Sequence, residues 1–198
     1  MITREQALTL LKKHMSQENL IRHCYSVEAV MRALAERLNP EIKGETERCE
    51  LVERWGIVGL LHDGDYEETK STPEKHTLEM AEWLKEMDET DPEILSAIAS
   101  HNYAHTGQNS PENRLEWSLY CCDELTGLIV AVTLVKPDKK LASVTVDSVM
   151  NKWRQKSFAA GVKREQIEEC EARLGIPLKD FIEIALTAMQ GISDDLGL

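Results

Sequence analysis

The sequence predicts an all-α protein, on three observations. Apolar residues recur at helical spacing through most of the chain, helix start signals precede several of those runs, and no set of alternating segments supports a sheet. VTV (144–146) is the one stretch with the look of a short strand.

Taken in order, Thr3 and Gln6 are placed as a capping box before ALTLLKKH, which predicts a short first helix. Leu20, Cys24, Val27, Met31, Leu34 and Leu38 then alternate steps of four and three, lining one face of a second helix that Asn39-Pro40 ends. A third helix is expected from about Thr46 to Leu61, followed by DGDYEETKSTP, whose turn formers and proline make a loop. Pro73 and Glu74 suit the first turn of a helix running through Leu84, and Asp91-Pro92 repeats that signal before EILSAIASHNYAH. Ser110-Pro111 gives it again, opening a long helix with Leu115, Leu119, Cys122, Leu125 and Ile129 on it and Asp123 in its middle. SVTVDSVMNKWRQKSF, KREQIEECEARLG with Gly175 as its stop, and LKDFIEIALTAMQGISDDLG read as further helices. A single domain over 1–198 is expected, with a core at about 18–135 and a C-terminal helical extension at about 141–198.

The 198 residues are 42% hydrophobic and 29% charged, ordinary for a folded soluble protein. A formal net charge of -12 argues against a nucleic-acid polymer as partner, because binding to a phosphate backbone needs a concentrated basic surface. A small phosphorylated ligand remains compatible, since a divalent cation reverses the local sign of an acidic pocket. Five cysteines without a CxxC pair fit reduced thiols better than a disulfide framework. With no long apolar N-terminal segment, and LIVAVTLV (128–135) too short to span a bilayer, the expectation is a cytoplasmic protein with no membrane partner. The apolar helix faces are compatible with a homo-oligomer.

His23, the adjacent His62-Asp63 and Asp123 supply imidazole and carboxylate, a donor set that suits divalent metals if the fold brings them together. The alternative readings are ordinary ones: His23 as a hydrogen-bonded histidine at the core edge, His62-Asp63 as a helix-end cap, and Asp123 paired with a base such as Arg22 or turned to solvent. A carboxylate in an apolar helix needs some such partner. Cys121 and Cys122 read as packed core residues. The chain carries no GxxxxGK[ST], GxGxxG or GxSxG motif.

The order H…HD…D on a helical background resembles the HD superfamily of metal-dependent phosphohydrolases. HDGDYE, PEKHTLEMAEWL, AIASHN and DELTGLIVAV together look like its HDIG-type branch of uncharacterised proteins. The resemblance implies a compact HD-domain helical bundle in which His23, His62, Asp63 and Asp123 ligate a divalent metal, and by similarity to two-metal members it implies His76 and His101 as ligands of a second ion. One or two ions are expected, with manganese, iron, cobalt, magnesium, nickel and zinc all compatible. Asp63 and Asp65 are the expected catalytic carboxylates. Asp65, an acidic departure from the branch motif, is open to three roles: general base toward the metal water, orienting partner of His62, or loop cap. Glu67 is a further candidate acid or base.

The expected reaction is attack of metal-activated water on the phosphorus of a small phosphorylated metabolite or nucleotide. Cations to balance the phosphoryl charge are sought at Lys70, Lys75, Lys140 and Lys156, with Lys136 and Lys139 nearby in sequence. KSFAAGVKRE (156–165) reads as a phosphate-facing lid or as an ordinary turn. His105 is expected at a pocket rim and His14 in solvent. Two alternatives stand beside hydrolysis: a di-iron oxygenase of the same fold, and a metal- or nucleotide-binding sensor without turnover.

Overall fold

The architecture follows from three long helices that the rest of the chain encloses. The computed structural model describes residues 1–198 and is helical throughout, with no strand. The elements are α1 (Arg4–His14), α2 (Glu18–Leu38), α3 (Glu45–Leu61), the single turn α4 (Tyr66–Thr69), α5 (Leu78–Glu86), α6 (Pro92–His101), the single turn α7 (Tyr103–Thr106), α8 (Arg114–Leu134), α9 (Val146–Trp153), α10 (Arg164–Glu169), α11 (Leu178–Gln190) and α12 (Ser193–Leu196). A π-helical turn over Cys170–Leu174 prolongs α10 and stops at Gly175, whose φ of 67° suits glycine.

α1 starts as its sequence dictates: Thr3 Oγ1 accepts from the Gln6 amide, and Gln6 Oε1 accepts from the Thr3 amide at 2.8 Å. α2 buries Cys24, Val27, Met31, Leu34 and Leu38 along one face. The last two turns of α3, Trp55 to Leu61, are buried on every side, because α1, α2, α6 and α8 surround them. Gly59 makes this possible, since a Cβ there would stand 2.9 Å from the backbone of Glu28. α8 is the second central rod, packed by α2, α6, α10 and α11. It is long and apolar enough to cross a bilayer, but its apolar length is spent on the protein core, where Leu119, Leu125, Leu128 and Ile129 are fully enclosed.

Two helix starts differ from expectation. The helix predicted from Pro73 through Leu84 is a 3₁₀ turn over Pro73–Lys75, a break at Thr77 with φ 73°, and only then α5. The break turns His76 and the Met80 amide onto the same buried carboxylate, that of Asp65. Left-handed backbone at a threonine costs about 1–3 kcal/mol, which these bonds offset. The long helix starts at Arg114 instead of after Ser110-Pro111, because Asn113 Oδ1 accepts from the Glu116 amide and takes the capping position. VTV forms no strand: Val144 ends a 3₁₀ turn, Thr145 caps α9, and Val146 is its first residue.

Candidate metal centre

Six side chains from five parts of the chain converge. His23 comes from the second turn of α2, His62 from the C-cap of α3, Asp63 from the tight turn that follows, His76 from the turn before α5, His101 from the last residue of α6 and Asp123 from the middle of α8. The close approach of α2 and α3 at Gly59 puts His23 Nε2 and His62 Nε2 3.3 Å apart.

Around this pair lie one oxygen from each aspartate. Asp123 Oδ1 is 2.9 Å from His23 Nε2 and 3.6 Å from His62 Nε2, and Asp63 Oδ2 is 3.6 and 3.5 Å from the same two atoms. An ion with bonds of about 2.1 Å separates neighbouring ligands by about 3.0 Å in octahedral and about 3.4 Å in tetrahedral geometry. The spacing observed is the spacing such an ion needs. The other oxygen of Asp63, Oδ1, faces away to His76 Nε2 at 3.2 Å and His101 Nε2 at 3.1 Å. One carboxylate is thus divided between two histidine pairs.

The ring orientations fit metal binding as well. His62 Nδ1 donates to the Gly59 carbonyl at 2.8 Å, so its Nε2 is the free donor atom. His76 Nδ1 faces Asp65 Oδ1 at 2.7 Å. His23 Nδ1 is 3.3 Å from Thr126 Oγ1, whose own proton goes to the Asp123 carbonyl, which leaves the imidazole as donor. Assigning protons to these Nδ1 atoms points three Nε2 lone pairs at the two aspartates, the arrangement in which a partner on the far nitrogen fixes a metal-ligating histidine.

The family model of the HD domain matches residues 20–168. The chain belongs to the HD-domain family. That family consists mostly of metal-dependent hydrolases, HD domains bind divalent metals, and the grouped histidines and aspartates can hold a metal ion. All six side chains of the centre lie within the matched residues, and the match runs past Val135 through α9 and into α10. No curated protein and no solved structure matches the chain.

Without an ion, protons take the cation's place in the HD site. Burial pushes His23 down, but the hydrogen bond and charge of Asp123 outweigh it and carry the imidazole up to about 9. His76 is opposed by burial in the same way, and its bonds to Asp63 and Asp65 also carry it to about 9. Burial works against ionisation of Asp63 and Asp123, yet both are held well below the ordinary carboxylate value. For Asp63 the causes are the His62 charge and bonds from His101 and His76; for Asp123 they are bonds to His23 and His62.

Other candidate residues lie elsewhere. Asp65 is fully buried with both oxygens engaged, Oδ1 by His76 and Oδ2 by the Met80 amide at 3.1 Å. It is therefore a positioning residue for His76, and of the three roles considered neither contact with reacting water nor orientation of His62 describes it. Glu67 is no acid or base at the centre: it accepts from the Ser16 hydroxyl and the Ser16 and Gln17 amides at the start of α2, which hold it at about 2. Lys70, Lys75, Lys140 and Lys156 are all exposed, and none bonds to the six residues of the centre. His14, expected in solvent, stacks on Trp83 with ring centres 3.6 Å apart and contacts Glu68. Cys121 and Cys122 are buried, and burial pushes both thiols up, so neither serves as a nucleophile.

The segment 156–165 is pinned, which removes the lid reading. Arg164 donates to the carbonyls of Trp153, Gln155, Phe158 and Ala159. It does bring a cation to the rim, Lys163, one of the basic residues of KSFAAGVKRE (156–165): the Lys163 amide donates to Glu124 beside Asp123, and Lys163 Nζ stands 3.3 Å from His105 Nε2. Burial, then the Lys163 charge, lowers His105, and because a lysine ammonium only donates, His105 Nε2 is the acceptor in this contact. Thr126, three residues after Asp123 and thus on its helix face, was the sequence signal for the His23 partner.

Proposed function

We propose that the protein is a metal-dependent phosphohydrolase that acts on a small phosphorylated metabolite or nucleotide. The observation that carries this reading is the division of Asp63 between His23/His62 on one oxygen and His76/His101 on the other, a donor set that could hold one or two divalent ions. HDGDYE supports placement near the HDIG-type branch.

A bound divalent ion supplies Lewis acidity toward a phosphoryl oxygen and makes water a stronger nucleophile near neutral pH. The chain's residues do the rest. His23, His62 and Asp123 would hold the metal on one side of Asp63 and His76 and His101 on the other, with Thr126, the Gly59 carbonyl and Asp65 fixing the rings. Lys163, whose Nζ stands beside His105 Nε2 and whose backbone amide donates to Glu124, is the cation we assign to the phosphoryl charge. The acidic surface supports a small substrate over a nucleic-acid polymer, and five free cysteines support the cytoplasm as its compartment.

The test is phosphate release from phosphomonoesters, nucleotides and phosphodiesters by manganese-, iron-, cobalt- and magnesium-loaded protein, beside Asp63→Ala. Release by the wild type alone is expected, with helical content unchanged in the variant. Equal release by both proteins removes the centre from the reaction. The histidine-rich donor set also suits iron, so oxygen uptake is followed in the same assay: uptake without phosphate release replaces hydrolysis by oxidative cleavage, and binding without either makes the protein a sensor.

A further inference from the structure

A groove of about 400 Å³ lies beside the metal centre, and His23 belongs to both. The groove runs between α2 and α8. On α8, Asp123, Gly127, Val130 and Leu134 follow one another by steps of four, three and four, so a single helix face leads from the ligand out along the groove floor. Leu196 and Leu198 form the far wall. That wall is seated closely: Gly197, with φ 69°, lies against Arg22 of α2, where a Cβ would come within 2.8 Å of the guanidinium. Most of the groove surface is apolar, beside the polar side chains of Asn19, Arg22, His23 and Ser26.

Exposure of the ligands points the same way. Side chains of His23 and Asp123 are 24% and 19% exposed, the most open of the six, while His62 is closed at 0%. The centre is thus most accessible over His23 and Asp123, and His23 lines the groove. Gly127 sits there in the middle of a long helix, where glycine is the poorest helix former after proline, and no neighbouring atom lies within 4 Å of the position a Cβ would take. Packing does not demand this glycine. It leaves the groove open beside His23.

We propose that the groove binds the alcohol half of the substrate, that this half is an apolar aryl or alkyl group, and that Gly127 sets the size it accepts. The inference rests on the phosphohydrolase reading for the position of the phosphoryl group at the centre. A volume of about 400 Å³ lies within the range of small-molecule sites, ~300–1,000 Å³, and is large enough for a ring system beyond the phosphate.

Phosphonates test this without turnover, because their C–P bond is not hydrolysed. Calorimetric titration of manganese-loaded protein with 1-naphthylmethylphosphonate and with methylphosphonate is expected to show the naphthyl compound binding about tenfold tighter or more. Gly127→Leu, which projects a side chain into the groove, is expected to abolish that preference and leave methylphosphonate affinity within about twofold. Equal affinities in the wild type, a preference that persists in Gly127→Leu, or equal weakening of both ligands by the substitution overturns the assignment. If the preference is present and lost as expected while no phosphoester is hydrolysed, the groove stands and the hydrolase reading falls.

Discussion

Asp63 and Asp65 are two residues apart and do different work because their surroundings differ. Asp63 has both oxygens turned to imidazole Nε2 atoms and stays partly open, whereas Asp65 is closed off and spends its oxygens on the far nitrogen of His76 and a backbone amide. Asp65→Asn retains the shape but places an amide donor against one of two donors. We expect it to lower metal affinity by about 10- to 100-fold, the usual cost of losing a ligand's supporting partner, with helical content preserved. Competition with a chromogenic chelator measures this, and unchanged affinity would remove Asp65 from the support of the centre. The acidity of HDGD marks Asp65 in the sequence. Its partner is not marked, because His76 returns to it only through the left-handed turn at Thr77.

At the scale of elements, the centre depends on how closely α2 and α3 approach, and Gly59 sets that distance. Gly59→Ala forces a methyl to within 2.9 Å of the Glu28 backbone and of the Val27 carbonyl, which the helices relieve only by parting. A loss of about 1–3 kcal/mol in urea unfolding is expected, with weaker metal binding as His23 and His62 separate. Gly127→Ala has open space and is expected to gain up to about 1 kcal/mol by helix propensity alone. Equal effects of the two substitutions would show that the α2–α3 approach is not limiting. Elements whose signals are local are legible in the sequence: the capping box of α1, the four-three stripe of α2, the Asp91-Pro92 start of α6 and the Gly175 stop. Elements decided by distant partners are not, such as the break at Thr77 or the loop that Arg164 ties to four carbonyls. The candidate site divides the same way. His23, His62, Asp63 and Asp123 can be picked out by ligand type and His76 and His101 by family resemblance, while Thr126 and the Gly59 carbonyl are ordinary residues until the fold places them.

For the whole molecule, the centre links metal, protons and stability. In the metal-free protein His23 and His76 stand at about 9 against an ordinary 6.5, so their protonated forms are favoured by folding. A group raised in the folded state contributes stability that is complete below its unfolded value and is lost as pH rises through its folded value. The metal-free protein is therefore expected to lose stability from about pH 6.5 to about pH 9. Asp63 and Asp123, held low, contribute in the opposite sense, with stability present above an ordinary 3.8 and lost as pH falls toward their folded values. A divalent ion needs the Nε2 lone pairs that those protons occupy, so its affinity rises through the window in which the metal-free protein weakens. At 100 times its Kd an ion that binds only the folded state adds about 2.7 kcal/mol. At fixed manganese concentration, kept below hydroxide precipitation, the difference in Tm between loaded and metal-free protein should widen from pH 6 to pH 8.5. Calorimetry in buffers of different ionisation enthalpy should detect protons released on binding, and fewer of them as pH approaches 9, because fewer are then bound. A Tm difference that stays constant across this range, with no proton release, would place the metal away from His23 and His76.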